Sequence, residues 1–256
     1  MIIDADVHIS PGWPTGSTIT VDEALRRMDQ AGVDRALTWL QPPYERGQID
    51  AGNRYVFEAT RAHPDRVIGF GWADPNLGAD RAMSEVQRCL EEYGFPGVKL
   101  NGAQNEFVID DERVAMPLIE RIADAGAILA LHIGGDSPER THPWRLGRIA
   151  SRFPDLRILM IHIGGAAFHD LSRACIEIAA GHPNVTLIGS AVRAQSILAA
   201  IRALGHERIC FGSDTPFELM HVELAKYRAL LDGELDDRQR ADVLGGNIAS
   251  VLGIVG

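Results

Sequence analysis

The chain has 256 residues, of which 46% are hydrophobic and 23% are charged, and its formal net charge is −10. This composition is typical of a soluble globular protein, and the acidic balance argues against binding to nucleic acid or to an anionic membrane surface. No apolar run approaches the roughly 20 residues that a membrane-spanning helix needs. Strand-like sequence starts at Ile2, so we expect no signal peptide and a cytoplasmic location by default.

Short apolar runs alternate with longer amphipathic stretches along the chain. The predicted strands are 2–8, 34–40, 66–72, 97–100, 127–132, 156–162, 184–189 and 207–213. The predicted helices are 20–31, 50–63, 78–93, 111–125, 142–152, 168–181, 193–204, 218–231 and about 237–252. Several strands, such as ILALH and ILMIH, are almost wholly apolar, which is typical of strands that are buried on both faces of a parallel sheet.

This alternation predicts a (β/α)8 TIM barrel, that is, one α/β domain over residues 1–256 with a parallel eight-stranded sheet. A doubly wound open sheet is the alternative, but no GxGxxG motif follows the first strand. The three cysteines lie far apart and form no CxxC pair: Cys89, Cys175 and Cys210. We expect buried free thiols and neither a disulfide framework nor a cysteine metal site.

The first strand ends in Asp6 and His8, in the sequence MIIDADVH. Residues i and i+2 of a strand point to the same face, so the two side chains project together. Acids and a histidine weaken a core strand unless something binds them. A metal ion is one candidate, and a polar strand end that meets water is the other.

Further polar residues stand at the ends of other predicted strands: Lys99 and Asn101 at the fourth, His132 at the fifth, His162 at the sixth and Asp214 at the eighth. The carboxyl ends of barrel strands meet at one rim, where barrel enzymes have their active sites. Histidine and carboxylate are ligands that zinc favours, and a catalytic zinc keeps one position open for water. His162 could be a ligand of a second metal or a proton shuttle beside a single one.

Several segments in this order resemble the amidohydrolase superfamily: DADVH, GVKL, ALHIGG, LMIHIGG and FGSD. The closer resemblance is to the amidohydrolase-related branch that includes aminocarboxymuconate semialdehyde decarboxylase, and PDRVIGFGWADP and GFPGVKL also fit that branch. The resemblance implies one divalent metal, zinc with manganese as the alternative, held by Asp6, His8, His132 and Asp214. It also implies that His162 acts on the substrate or its water. The chain departs from the branch's commonest His-x-His motif, because Asp6 replaces the first histidine.

Lys99 has more than one interpretation. In binuclear members of the superfamily a lysine of the fourth strand is carboxylated and bridges two metals. With a carboxylate at position 6 we expect one metal, and Lys99 and Asn101 are then predicted to bind substrate. A lysine inside the barrel that pairs with Asp4 is the structural alternative.

These residues predict a metal-dependent hydrolase, in which a metal-activated water attacks an ester, lactone or amide carbonyl of a small, carboxylated substrate. Asp214 or His162 would accept the proton of that water. The alternative is a non-oxidative decarboxylase of a small unsaturated or aromatic acid, with His162 as the acid that protonates the carbon. Short loops after most strands favour hydrolysis. A non-catalytic ligand-binding barrel is the alternative from another class, and a homodimer stays open.

Overall fold

The structure is a computed structural model that describes residues 1–12, 18–41, 46–165 and 170–254. The strands in these ranges are β1 Ile3–Ile9, β2 Arg35–Leu40, β3 Val67–Gly69, β4 Gly71–Ala73, β5 Gly97–Leu100, β6 Ile128–His132, β7 Ile158–Ile161, β8 Val185–Ile188 and β9 Ile209–Cys210. All their pairings are parallel, and they form two sheets in the orders β1-β2-β3 and β4-β5-β6-β7-β8-β9.

Backbone hydrogen bonds join the two sheets at both edges. β3 and β4 are the two halves of one predicted strand, and Phe70 between them donates its N–H to the carbonyl of Thr38 on β2 at 2.9 Å. At the other edge the N–H of Ala5 donates to the carbonyl of Phe211 at 3.0 Å, and that of His8 to Thr215 at 2.7 Å. With β3 and β4 counted as one, eight strands enclose a barrel, which confirms the predicted fold.

Helices follow most strands and cover the outside of the barrel. They are α1 Val21–Ala31, α2 Ile49–Ala62, α3 Ala79–Gln87, α4 Met116–Asp124, α5 Pro138–Thr141, α6 Pro143–Arg152, α7 Ser172–Gly181, α8 Ala194–Leu204, α9 Met220–Leu231, α10 Asp237–Ala241 and α11 Asn247–Leu252. Single π-helical turns, Arg88–Glu92 and Asp242–Gly246, follow α3 and α10. In the ranges above, no helix is long and apolar enough to cross a membrane.

Two element boundaries differ from the prediction. The helix predicted from residue 111 begins at Met116, because the Asp111 carboxylate accepts the N–H groups of Arg113 and Val114 and holds a turn there. The strand predicted at 207–213 pairs only at Ile209–Cys210. The first two residues of the helix predicted at 168–181 lie outside the described residues.

The apolar strands form the core. In β6 the side chains of Ile128, Leu129 and Leu131 are fully buried. Burying each such side chain stabilises the fold by about 1.5–3 kcal/mol relative to leaving it in water. The three cysteines are free and buried, as predicted.

Candidate metal centre

The predicted site residues stand at the carboxyl ends of the strands, at one mouth of the barrel. Asp6 and His8 lie on β1, Lys99 on β5 and His132 on β6, while His162 and Asp214 come directly after β7 and shortly after β9. β6 and β7 are paired neighbours. The rings of His132 and His162 are accordingly 4.7 Å apart between centroids, as their adjacent strands predict.

Three of the four predicted ligands form one tight group. Ligand atoms of Asp6, His8 and Asp214 all lie within 4.8 Å of one another, and all three residues are buried. His8 Nε2 is 3.5 Å from Asp6 Oδ1 and 3.6 Å from Asp214 Oδ1. Asp6 Oδ1 is buried and has no hydrogen-bond partner. An orphaned carboxylate oxygen beside an imidazole and a second carboxylate fits a divalent cation.

The backbone near Asp214 lets the strands come this close. Gly212 lies in the FGSD segment between β8 and β1. A Cβ atom there would meet the Ile188 side chain at 2.6 Å and the Asp6 side chain at 3.1 Å. A glycine is therefore required at this position for Asp6 and Asp214 to share one site.

His8 is oriented by two residues of β2. Its Nδ1 donates to the carbonyl of Leu40 at 2.9 Å, which leaves Nε2 as the nitrogen that faces the two carboxylates. The indole N–H of Trp39 donates to this Nε2 at 3.0 Å. A cation bound through His8 Nε2 would therefore compete with the Trp39 N–H for one lone pair.

Lys99 is fully buried within the same group. Its Nζ is 3.6 Å from Asp6 Oδ1, 3.5 Å from His8 Nε2 and 3.9 Å from the centroid of the Trp39 ring. Lys99 forms its ion pair with Asp6, whereas the structural alternative predicted a pair with Asp4. Burial lowers the pKa of the Lys99 ammonium, although the Asp6 carboxylate opposes this shift.

The carboxylates of the group have opposite pKa shifts. Burial works to raise the pKa of Asp6, but the charge of Lys99 and contacts with His8 and His162 hold it below its ordinary range. Burial and the Asp6 charge raise the pKa of Asp214 well above its ordinary value. One site therefore contains a carboxyl group that favours its anionic form, Asp6, and one that favours its protonated form, Asp214.

His132, the fourth predicted ligand, is not part of the three-residue group. Its Nε2 is 2.9 Å from Asp136 Oδ1 and 3.1 Å from Oδ2, so this carboxylate holds the nitrogen that a metal would use. The role of His132 as a ligand stays a prediction. Asp136 was not singled out from the sequence, although it follows the HIGG motif directly.

His162 is buried beside Asp6, with 3.8 Å between its Nδ1 and Asp6 Oδ2. Burial, and next the neighbouring His132, lowers the pKa of His162 to about 3. Its Nδ1 also contacts Ser190, a buried residue after β8 that the sequence did not indicate. His162 is therefore neutral near pH 7 and is not a reservoir of protons in the resting site.

The Asn101 side chain forms hydrogen bonds with the backbone of the turn that follows it. Its Oδ1 accepts the N–H groups of Ala103 and Gln104, each at 3.1 Å, and so holds the turn after β5. These contacts do not join Asn101 to the carboxylate group, and its predicted contact with substrate stays a prediction.

The backbone at the mouth contains several left-handed residues that are not glycine. The φ angles are 73° at His162, 47° at Ile163, 50° at Ala191 and 60° at Asp214. L-residues with a Cβ rarely adopt this region, and such strain clusters at functional sites.

The sequence of the chain is similar to those of known proteins. Residues 3–254 match the model of a family described as Amidohydrolase. A 2-amino-3-carboxymuconate-6-semialdehyde decarboxylase of Dictyostelium discoideum is 22% identical over 251 residues, which cover 84% of this chain and 69% of that protein. A gamma-resorcylate decarboxylase of Polaromonas sp. strain JS666 is 24% identical over 257 residues, which cover 77% of each chain.

Solved structures share the fold at low identity. A 2,6-dihydroxybenzoate decarboxylase in complex with 2,6-dihydroxybenzoate superposes with a TM-score of 0.77 at 19% identity, covering 98% of this chain and 99% of that chain. A 5-carboxyvanillate decarboxylase from Novosphingobium aromaticivorans, complexed with manganese and a nitrobenzoic acid, has a TM-score of 0.77 at 17% identity, covering 99% and 96%.

Proposed function

Because this chain belongs to the amidohydrolase family, we propose that it is a metal-dependent decarboxylase of a small aromatic or unsaturated carboxylic acid. The relatives described above are named as decarboxylases, and two of the similar structures hold an aromatic acid, one of them together with manganese. This favours decarboxylation, the alternative in the sequence interpretation, over hydrolysis. The choice between manganese and zinc also shifts towards manganese.

The observation that carries the proposal is the buried group of Asp6, His8 and Asp214 beside aromatic rings, in which burial and the Asp6 charge raise the pKa of Asp214. A hydrolase of the predicted kind needs a base to accept a proton from water. A decarboxylase needs an acid, because the carbon that loses carbon dioxide must gain a proton. Burial and the Asp6 charge favour the protonated form of Asp214, so Asp214 is the better candidate for this acid. His162 is the weaker one, because its pKa is lowered to about 3.

The residues divide the work as follows. Asp6, His8 and Asp214 would hold the cation, with His132 as the fourth ligand if it leaves Asp136. A divalent cation at these residues would supply positive charge for the substrate carboxylate and would lower the pKa of Asp214. Lys99 offers a positive charge to an anionic substrate.

Aromatic rings surround His8 and suit a flat substrate. Trp39, Trp72 and Phe217 each meet the His8 ring edge-on, with centroids 5.6–6.1 Å away. Phe217 is about half exposed, so it stands at the open side of the group. Apolar walls of this kind exclude water and bind an aromatic ring by its faces and edges.

The test is a product assay on protein loaded with Mn²⁺ or Zn²⁺. The substrates are 2,6-dihydroxybenzoate and 5-carboxyvanillate that carry ¹³C in the carboxyl group, and the readout is ¹³CO₂ by mass spectrometry. In D₂O the product should gain one deuterium at the carbon that lost the carboxyl group. The comparison variant is Asp214→Asn, which keeps the shape of the side chain and removes the acid; its Mn²⁺ content is measured beside its rate, because Asp214 is also a proposed ligand.

Two results would count against the proposal. The first is addition of water to an ester, lactone or amide without release of carbon dioxide, which would restore the hydrolase. The second is ligand binding without turnover by fully metal-loaded protein across such a panel, which would favour a non-catalytic barrel. The homodimer and the cytoplasmic location stay predictions. Light scattering would measure the oligomeric state.

A further inference from the structure

Ser190 connects two site residues that come from distant parts of the chain. It lies two residues after the end of β8 and is fully buried. Its hydroxyl donates to Asp6 Oδ2, 184 residues away in the sequence. The same Oγ is 3.0 Å from His162 Nδ1, and the backbone carbonyl of Ser190 is 3.2 Å from that nitrogen. One residue therefore contacts both a predicted ligand and a predicted catalytic histidine.

The position of this serine is set by neighbours outside the group. The Tyr227 hydroxyl donates to the carbonyl of Gly189 at 2.8 Å. The N–H of Gly189 donates to the carbonyl of Cys210 at 3.1 Å, and Lys226 Nζ donates to the carbonyl of Val192 at 3.0 Å. The segment around Ser190 is thus held on both sides, so its hydroxyl has a fixed place.

The proton positions follow from the donors and acceptors. A serine hydroxyl has one proton to donate and lone pairs to accept with, whereas an ionised carboxylate only accepts. The Ser190 proton therefore goes to Asp6 Oδ2, and Oγ can only accept from His162. The Ser190 carbonyl also only accepts. Both contacts require that His162 Nδ1 carries a proton, which leaves Nε2 with a free lone pair in the neutral ring.

The same hydroxyl also distinguishes the two oxygens of Asp6. Oδ2 is used by Ser190. Oδ1 is the buried oxygen without a hydrogen-bond partner, and it is the one that lies 3.5 Å from His8 Nε2. The Ser190 contact therefore turns Oδ1 towards the other two members of the ligand group.

We propose that Ser190 is a positioning residue that fixes Asp6 through Oδ2 and His162 through Nδ1, so that Asp6 Oδ1 and His162 Nε2 are the atoms left for cation binding and proton exchange. The inference rests on the proposed function only in that it takes Asp6 to be a ligand. Partners of this kind, which hold a metal ligand in place, are usually worth about 10–100-fold in metal affinity.

The first test measures Mn²⁺ affinity by isothermal titration. Ser190→Ala should bind Mn²⁺ about 10–100-fold more weakly, and Ser190→Thr, which keeps the hydroxyl, should recover most of the loss. The matched control is Ser196→Ala. Ser196 lies on α8, outside the site, and its buried hydroxyl contacts Asp170 Oδ2 at 3.4 Å. Thermal melts of all variants establish that each one is folded. Wild-type affinity in folded Ser190→Ala, or equal losses in Ser190→Ala and Ser190→Thr, would overturn the proposal.

The second test reads the proton on His162 directly. In ¹⁵N-labelled protein without metal, ring nitrogen shifts should show a proton on Nδ1 and a bare Nε2, with His162→Asn used to assign the signals. A proton on Nε2 instead would overturn the proposal. Neither test needs a substrate. If both tests give the expected result and no acid is decarboxylated, the proposed function fails while the role of Ser190 stands. If an acid is decarboxylated and either test fails, the proposed function stands and the role of Ser190 fails.

Discussion

Replacing Lys99 by methionine removes the ammonium group that faces Asp6 and keeps a side chain of similar length. At the 3.6 Å between Lys99 Nζ and Asp6 Oδ1, two unit charges attract by about 4–5 kcal/mol for an effective dielectric constant of about 20. Both side chains are buried, so water does not replace the lost partner. Breaking one side of such a buried pair usually costs about 3–5 kcal/mol, because the remaining charge is left without compensation.

Without metal, Lys99→Met should therefore lower the free energy of unfolding by about 3–5 kcal/mol. Mn²⁺ should offset most of this loss, because a cation near Asp6 Oδ1 compensates the same charge. The affinity for Mn²⁺ should rise at least about 10-fold, since a competing positive charge is gone. The assay is urea unfolding followed by circular dichroism, in EDTA and in Mn²⁺, together with a Mn²⁺ titration.

The chain offers a matched control in its other lysine. Lys226 pairs with Glu223 on the outside of the barrel, is partly exposed and donates to the Val192 carbonyl, so Lys226→Met should cost only about 1–2 kcal/mol, the same amount in either condition. Unchanged or increased stability of Lys99→Met in EDTA would refute the reasoning. It would mean that Lys99 is uncharged in the folded protein, as its lowered pKa would permit.

Three further predictions concern the same site. His162→Asn should keep Mn²⁺ and, because Asp214 is the proposed acid, should lower the decarboxylation rate less than Asp214→Asn does; loss of the metal as well would favour two metals bridged by a carboxylated Lys99. Burial raises the pKa of Asp4 from 3.8 to about 7. Folding therefore favours its protonated form, and in EDTA Asp4 alone should lower the free energy of unfolding by about 4 kcal/mol between about pH 4 and pH 7. In urea titrations Asp4→Asn should reduce the fall by this amount, and an unaltered pH dependence would contradict the assignment. Trp39→Phe removes the N–H that donates to His8 Nε2 and should tighten Mn²⁺ binding about 2–12-fold, the worth of one hydrogen bond; weaker binding would show that the indole supports the site.

The sequence was sufficient for the barrel and for most of the group at its mouth. Apolar strands that alternate with amphipathic helices specify the parallel sheet, and the carboxyl ends of its strands must meet at one rim. Asp6, His8, Lys99 and Asp214 could therefore be placed together without coordinates. Their mutual distances then follow from the register of the strands.

Ser190 and Asp136 could not be found in this way. A serine at the end of a strand has no distinctive pattern, and its contact with Asp6 depends on side-chain packing between distant parts of the chain. The short pairing of the last strand has a similar origin. The N–H of Phe211 donates to the carbonyl of Val243 in the second π-helical turn, so it does not continue the strand pairing. Bonds of this kind depend on the packed tertiary structure and not on local propensity.

The left-handed backbone at the barrel mouth limits how this protein can be altered. Each such residue with a Cβ costs roughly 1–2 kcal/mol relative to an unstrained conformation, and Ile163 is branched as well. Directed evolution for heat resistance alone would therefore accumulate glycine at positions 162, 163, 191 and 214, because glycine relieves the strain. Two of these four changes would delete His162 and Asp214. A thermostable variant that is obtained without a screen for turnover should thus be inactive more often than chance mutation would predict.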